Sequence, residues 1–139
     1  MRVMVIVKAD SRSEAGVLPT GKELTAMGKF NEELIKAGVM VDGGGLKPSS
    51  KGARVSFGGG KPVVTDGPFA ETKELIAGYW VWDVKSLAEA IEWAKKVPFE
   101  HLPSTGRAAE LEIREFHSVE DFPDAPESVI EQEKAWRNK

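Results

Sequence analysis

Leu75-Ile76-Ala77-Gly78-Tyr79-Trp80-Val81-Trp82-Asp83-Val84 is the stretch that decides the fold. β-Branched and aromatic residues dominate it, which predicts a strand. Alternation puts Tyr79 and Val81 on one face and Trp80, Trp82 and Val84 on the other, so both faces are apolar and both need cover. Residues 1–8 share this property, with Val3, Val5 and Val7 facing one way and Met4 and Ile6 the other. Two such strands belong in the middle of a sheet.

Downstream of that stretch, Ser86-Leu87-Ala88-Glu89 reads as a capping box. It opens a helix with Leu87, Ile91 and Ala94 on one face, which Pro98 ends. Leu111 and Ile113 then alternate with Glu110, Glu112 and Arg114, predicting a half-exposed last strand. Upstream, Thr20-Gly21-Lys22-Glu23 is another capping box, and Leu24, Met27, Phe30, Leu34 and Ile35 predict one buried helical stripe. Gly38 is its expected stop. Val39-Met40-Val41 begins a further strand that runs into Asp42-Gly43-Gly44-Gly45, read as turn and bulge residues. Arg54 to Phe57 with Val63-Val64 predicts a hairpin around Gly58-Gly59-Gly60.

The order β-α-β, hairpin, β-α-β predicts an α+β fold, a ferredoxin-like sandwich with an inserted β-hairpin, in which both helices cover one face and segments 1–8 and 75–84 are central. The opposite face also needs cover. A second copy packed sheet on sheet supplies it in one reading, making a homodimer. In the other, the C-terminal tail of the same chain does. That tail, 118–139 beyond a domain of residues 1–117, contains Phe122, Pro123 and Pro126 followed by a short expected helix with Ile130 and Trp136 as anchors on the body or on a partner.

Composition excludes several classes. A chain of 139 residues fits one core domain. A formal charge of −3 leaves no basic stripe for phosphates, so no nucleic-acid partner is expected. The absence of cysteine removes disulfides, thiol nucleophiles and thiolate metal sites. With no apolar run near membrane-span length, and Val3 to Val7 too short for a signal-peptide core, the expectation is a soluble cytoplasmic protein with no membrane partner.

Thr65-Asp66-Gly67-Pro68-Phe69-Ala70-Glu71-Thr72-Lys73-Glu74 lies between the hairpin and the main strand, with Asp-Gly-Pro as its corner. The unbroken string from Asp66 to Glu74 resembles the signature of the DGPF (DGPFAETKE) family within the YCII-related group. Gly45-Leu46-Lys47-Pro48-Ser49-Ser50, Gly78-Tyr79-Trp80 and Glu112-Ile113-Arg114 are similar to the family as well. The resemblance covers residues 1 to 117 and implies a dimeric α+β barrel. It implies no defined reaction, because members are largely uncharacterised. Some members are linked to transcription-related proteins, which implies a non-enzymatic regulatory or interaction module as the alternative to small-molecule binding with acid/base chemistry. Relatives described with a His-Asp pair at the first helix are not matched here, since residues 1–100 hold no histidine.

Candidate chemistry centres on the same segment. Asp66 and Glu71 are candidate acid/base carboxylates, with His101, in the loop after the second helix, as a third candidate. Lys73 is a candidate cation for an anionic substrate group, accompanied by Glu74, Phe69, Tyr79 and Trp80 as binding residues. The competing reading is that Asp66 caps its own turn and that Glu71, Lys73 and Glu74 are a solvated cluster. Gly60-Lys61 lacks the P-loop pattern, and Gly43-Gly44-Gly45 leads into Leu46-Lys47-Pro48 instead of a helix, so no nucleotide cofactor is expected. His101 and His117 stand far apart without cysteine, which argues against a zinc site, and no metal is expected.

Overall fold

In the structure, a computed structural model describing residues 1–71, 74–99 and 109–137, Val3 lies opposite Trp82 and Val5 opposite Trp80. These pairs join β1 (Arg2–Lys8) to β5 (Ile76–Asp83) in antiparallel register. β6 (Leu111–Glu115) pairs with the free edge of β1, and β2 (Met40–Gly45) with that of β5. The sheet order is therefore β2-β5-β1-β6, with the two doubly apolar strands in the centre. A separate antiparallel hairpin is made by β3 (Ala53–Ser56) and β4 (Val63–Asp66). The architecture is α+β with antiparallel sheets.

One face of the four-stranded sheet carries the core. Val3, Val5, Trp80 and Trp82 pack there against Phe30 and Leu34 of helix α2 (Gly21–Lys36) and Ala90 of α3 (Leu87–Ala94). The rings of Phe30 and Trp80 meet edge-on with centroids 5.8 Å apart. Burial of Trp82 is complete, and its indole Nε1 has no hydrogen-bond partner among the described residues. A short helix α1 (Ser11–Glu14), capped by Asp10, sits where the sequence predicts a loop.

The first capping box forms as read: Thr20 Oγ1 accepts from Glu23 N, and Glu23 Oε1 accepts from Thr20 N. The C-terminus of α2 closes with Gly38 at φ +72°, Val39 N donating to Leu34 O and Gly38 N to Ile35 O. Only a residue without Cβ takes that backbone freely. The buried stripe differs from the expected one. It runs Glu23, Met27, Phe30, Leu34, while Leu24 and Ile35 are exposed, because each is rotated 100° from a buried neighbour. In α3 the buried side is likewise Ala90 with Trp93 and Ala94, not Leu87 and Ile91. Ser86 Oγ accepts from Glu89 N, but Glu89 Oε2 bonds Lys85 N, so the second capping box is displaced by one residue. The helix ends at Ala94, before Pro98.

The other sheet face shows Met4, Ile6, Tyr79 and Val81 half-buried. After β6 the tail forms a 3-10 turn (Val119–Asp121) and helix α4 (Glu127–Arg137), which buries none of its residues. No helix among the described residues is long and apolar enough to cross a membrane.

Adjacent residues on α2 test the position of the stripe. Leu34→Ala is expected to cost about 2–5 kcal/mol, and Ile35→Ala to stay within about 0.5 kcal/mol of the parent, both read by urea unfolding.

Candidate functional site

A cavity of about 660 Å³ opens on the helix-covered side of the sheet, where β1 ends and β5 begins. Its sheet wall comes from Val7, Gly43, Gly45, Gly78 and Trp80. Glu23, Met27 and Asn31 of α2 form the facing wall, and residues 9–19 with Leu46-Lys47-Pro48 form the rim. This volume falls within the range of small-molecule sites.

Glycine makes the room. Gly43 and Gly45 are strand residues, not turn residues, and the irregularity in β2 lies earlier, between Met40 and Asp42. A Cβ on Gly78 would sit 2.9 Å from Gly44 O, which the backbone cannot admit without shifting, and one on Gly43 would press against Trp80 Cδ1 at 3.0 Å. A Cβ on Gly45 would meet nothing within 4 Å. That position faces the open cavity.

Two polar groups of α2 stand in an otherwise apolar wall. Glu23 is 5% exposed, and its Oε1 caps Thr20 N at 3.3 Å. Among the described residues Oε2 accepts no hydrogen bond. Asn31 Oδ1 accepts from Trp80 Nε1 at 2.9 Å. What Asn31 then offers the cavity is its amide NH2, a donor. Around the rim, Lys8 is engaged by Glu112 at 3.1 Å, while Asp10 Oδ1 accepts from Ser13 N. Glu23 and Asn31 stand eight residues apart on α2, about 12 Å along its axis, so they mark two ends of the wall: an acid/base carboxyl at one and an amide donor at the other. Neither Glu23 nor Asn31 was singled out as a site residue by sequence reasoning. The signal for Glu23 was its place in the capping box, which explains the residue type without a ligand.

The Asp66–Glu74 segment is elsewhere. Asp66 ends β4 opposite Ala53 and is exposed, as are Glu71 and Glu74. Glu71 pairs with Arg54 at 3.2 Å, and the Arg54 guanidinium lies 3.8 Å from the centre of the Phe69 ring. The Glu71 carboxyl is held below its ordinary value, first by a hydrogen bond from its own backbone N–H and then by Arg54. None of Asp66, Phe69, Glu71 and Glu74 lines the cavity, whereas Tyr79 and Trp80 do. Lys73 and His101 lie outside the described residues. No group of three or more His, Cys, Asp or Glu is placed to hold a metal among the described residues.

What the motif does instead is clasp the rim. Ser49 Oγ donates to Glu14 Oε2 at 2.5 Å and accepts from Phe69 N at 3.1 Å, while Ser49 N donates to Glu14 Oε1. Gly67 N donates to Gly52 O, and the Gly67–Pro68 bond is cis. A Cβ on Gly67 would fall 1.7 Å from Ser49 O, so only glycine fits. Ser49 thereby ties α1, the 46–48 rim and the motif together.

Compared with known proteins, residues 1–117 match the YCII-related domain, and the chain belongs to that family, of which DGPF is a synonym. An uncharacterised protein of Rhizobium meliloti (strain 1021) is 38% identical over 72 residues, a match spanning 52% of this chain and 57% of that relative. Among solved structures, 5-chloro-2-hydroxyhydroquinone dehydrochlorinase of Burkholderia phenoliruptrix AC1100, in complex with 2,5-dihydroxybenzoquinone, is similar at 15% identity and a TM-score of 0.45, covering 84% of this chain and 94% of its own.

Two glycines and one carboxyl provide checks. Gly67→Ala is expected to lower stability by about 1–3 kcal/mol through its clash with Ser49, while Gly45→Ala stays within about 0.5 kcal/mol, measured by denaturant unfolding. In an NMR titration the Glu71 carboxyl should stay ionised to a lower pH than an ordinary glutamate, since its folded pKa is depressed. Any stability from the Arg54 pair is then present above the ordinary carboxylate range and lost as pH falls through the depressed value. Arg54→Met should move the midpoint back upward.

Proposed function

We propose that this protein binds a small organic molecule in the cavity between β1, β2, β5 and α2, and that Glu23 serves there as the acid/base group. The observation carrying this reading is the buried Glu23 carboxyl facing an apolar, glycine-widened cavity of about 660 Å³. Trp80, Phe99 and Met27 provide flat and apolar surface, and the Asn31 amide provides a donor for a carbonyl or carboxylate oxygen. Lys47 at the rim adds positive charge for an acidic ligand. In this reading Asp66, Glu71 and Phe69 act through the clasp on the rim, not on the ligand.

The unit is in our reading a ferredoxin-like sandwich that pairs with a second copy through its outer sheet face, forming a dimeric α+β barrel. Half-buried Met4, Ile6, Tyr79 and Val81 support this, because a central apolar sheet face left in water forfeits stabilisation of about 25 cal/mol per Å². A cysteine-free chain suits a reducing compartment such as the cytoplasm.

Thermal-shift screening with small carboxylic acids and aromatic lactones tests the cavity. A compound that stabilises the parent should lose that effect in Gly45→Leu, whose side chain fills open space without straining the fold. Undiminished stabilisation of Gly45→Leu would refute the proposed site. For the assembly, Val81→Asp should shift sedimentation from dimer to monomer.

A further inference from the structure

Both faces of the β3–β4 hairpin are exposed, and they differ in what they carry. Arg54, on the first, lies against Phe69. On the second, Val55 stands opposite Val64, with Phe57 next along the same side. Their exposures are 51%, 64% and 79%. A two-stranded hairpin with a bare apolar face is marginal by itself, and a contiguous apolar patch of this kind marks an interaction surface.

The tail carries a receptive groove. Val119, Phe122, Pro123, Ala125 and Val129 line a concavity of about 460 Å³, and α4 buries no residue, with Trp136 56% exposed. Within one chain the two surfaces stay apart, since every residue of β3 and β4 is exposed.

Their charges are complementary. Residues 51–64 contain three bases and no acid; Arg54 pairs with Glu71, which leaves Lys51 and Lys61 to give the hairpin its positive charge. Residues 119–133 contain six acids and no base; Asp121 is bonded to His117 and Glu133 to Arg137, and Glu120, Asp124, Glu127 and Glu131 keep the segment acidic. A basic, projecting apolar tip and an acidic apolar groove on the same chain fit a contact between two copies.

We infer that the hairpin of one chain docks, through Phe57, Val55 and Val64, into the Val119–Val129 groove of a second copy. Exchanged reciprocally, the contact closes a two-fold pair; in one direction it links pairs into larger assemblies. It is independent of the cavity and uses none of its residues.

The absence of cysteine makes the test direct. Full-length Phe57→Cys chain is mixed under oxidising conditions with full-length Val129→Cys chain, and disulfide-linked heterodimer is measured by mass spectrometry. Bridging needs Cα atoms within about 7 Å, so random contacts give little product. The mixed product is expected to exceed several-fold that of Phe57→Cys with the exposed control Lys36→Cys. Adding Lys61→Glu to the hairpin chain should lower the yield, and Asp124→Lys on the tail chain should restore it. A Val129 yield no higher than the Lys36 control overturns the proposal. So does a yield indifferent to both charge reversals.

Discussion

Antiparallel pairing of β1 with β5 is the constraint on which the other elements depend. It sets Val3 against Trp82 and Val5 against Trp80, and so creates one apolar surface wide enough to hold both long helices. The cross-strand pairs stabilise the sheet directly. They also fix its register, because a slip of one residue would send every tryptophan and valine to the wrong side. β2 and β6 then add at the edges, and the face left over is the half-buried surface of Met4, Ile6, Tyr79 and Val81.

The cavity grows out of the same register. Beyond Trp80 the strands β5 and β2 carry Gly78, Gly43 and Gly45, and without side chains there the space facing α2 is left as the cavity that Glu23 and Asn31 also line. Asn31 is held by the indole of Trp80, which is itself held by Phe30. Core packing thus aims the polar group. The rim is positioned separately, by Ser49 bonding both Glu14 and the backbone of Phe69.

This arrangement gives the Asp66–Glu74 string a physical meaning different from the chemical one its charges suggest. Gly67 is required by the approach of Ser49 O, Phe69 supplies a ring for Arg54, and Glu71 completes the ion pair. A turn, an aromatic and a carboxylate in sequence look the same whether they surround a ligand or fasten a loop. Family membership rests on the match over residues 1–117, and the candidate site on residues outside that string.

The sequence by itself determined the main strands, the two core helices and their order, since alternation, capping boxes and Gly38 are local signals carried by adjacent side chains, whereas the short helix α1 lies where the sequence reads as loop. It also determined that β1 and β5 are central, because both faces of each are apolar. The share of each helix that is buried was decided by the tertiary structure: Leu34 and Ile35 are equally apolar, and only the angle at which α2 meets the sheet separates them. The site was decided there too. Glu23 and Asn31 of α2 are distant along the chain from Gly45 and Trp80, and their convergence depends on strand register and helix packing, which no local pattern encodes.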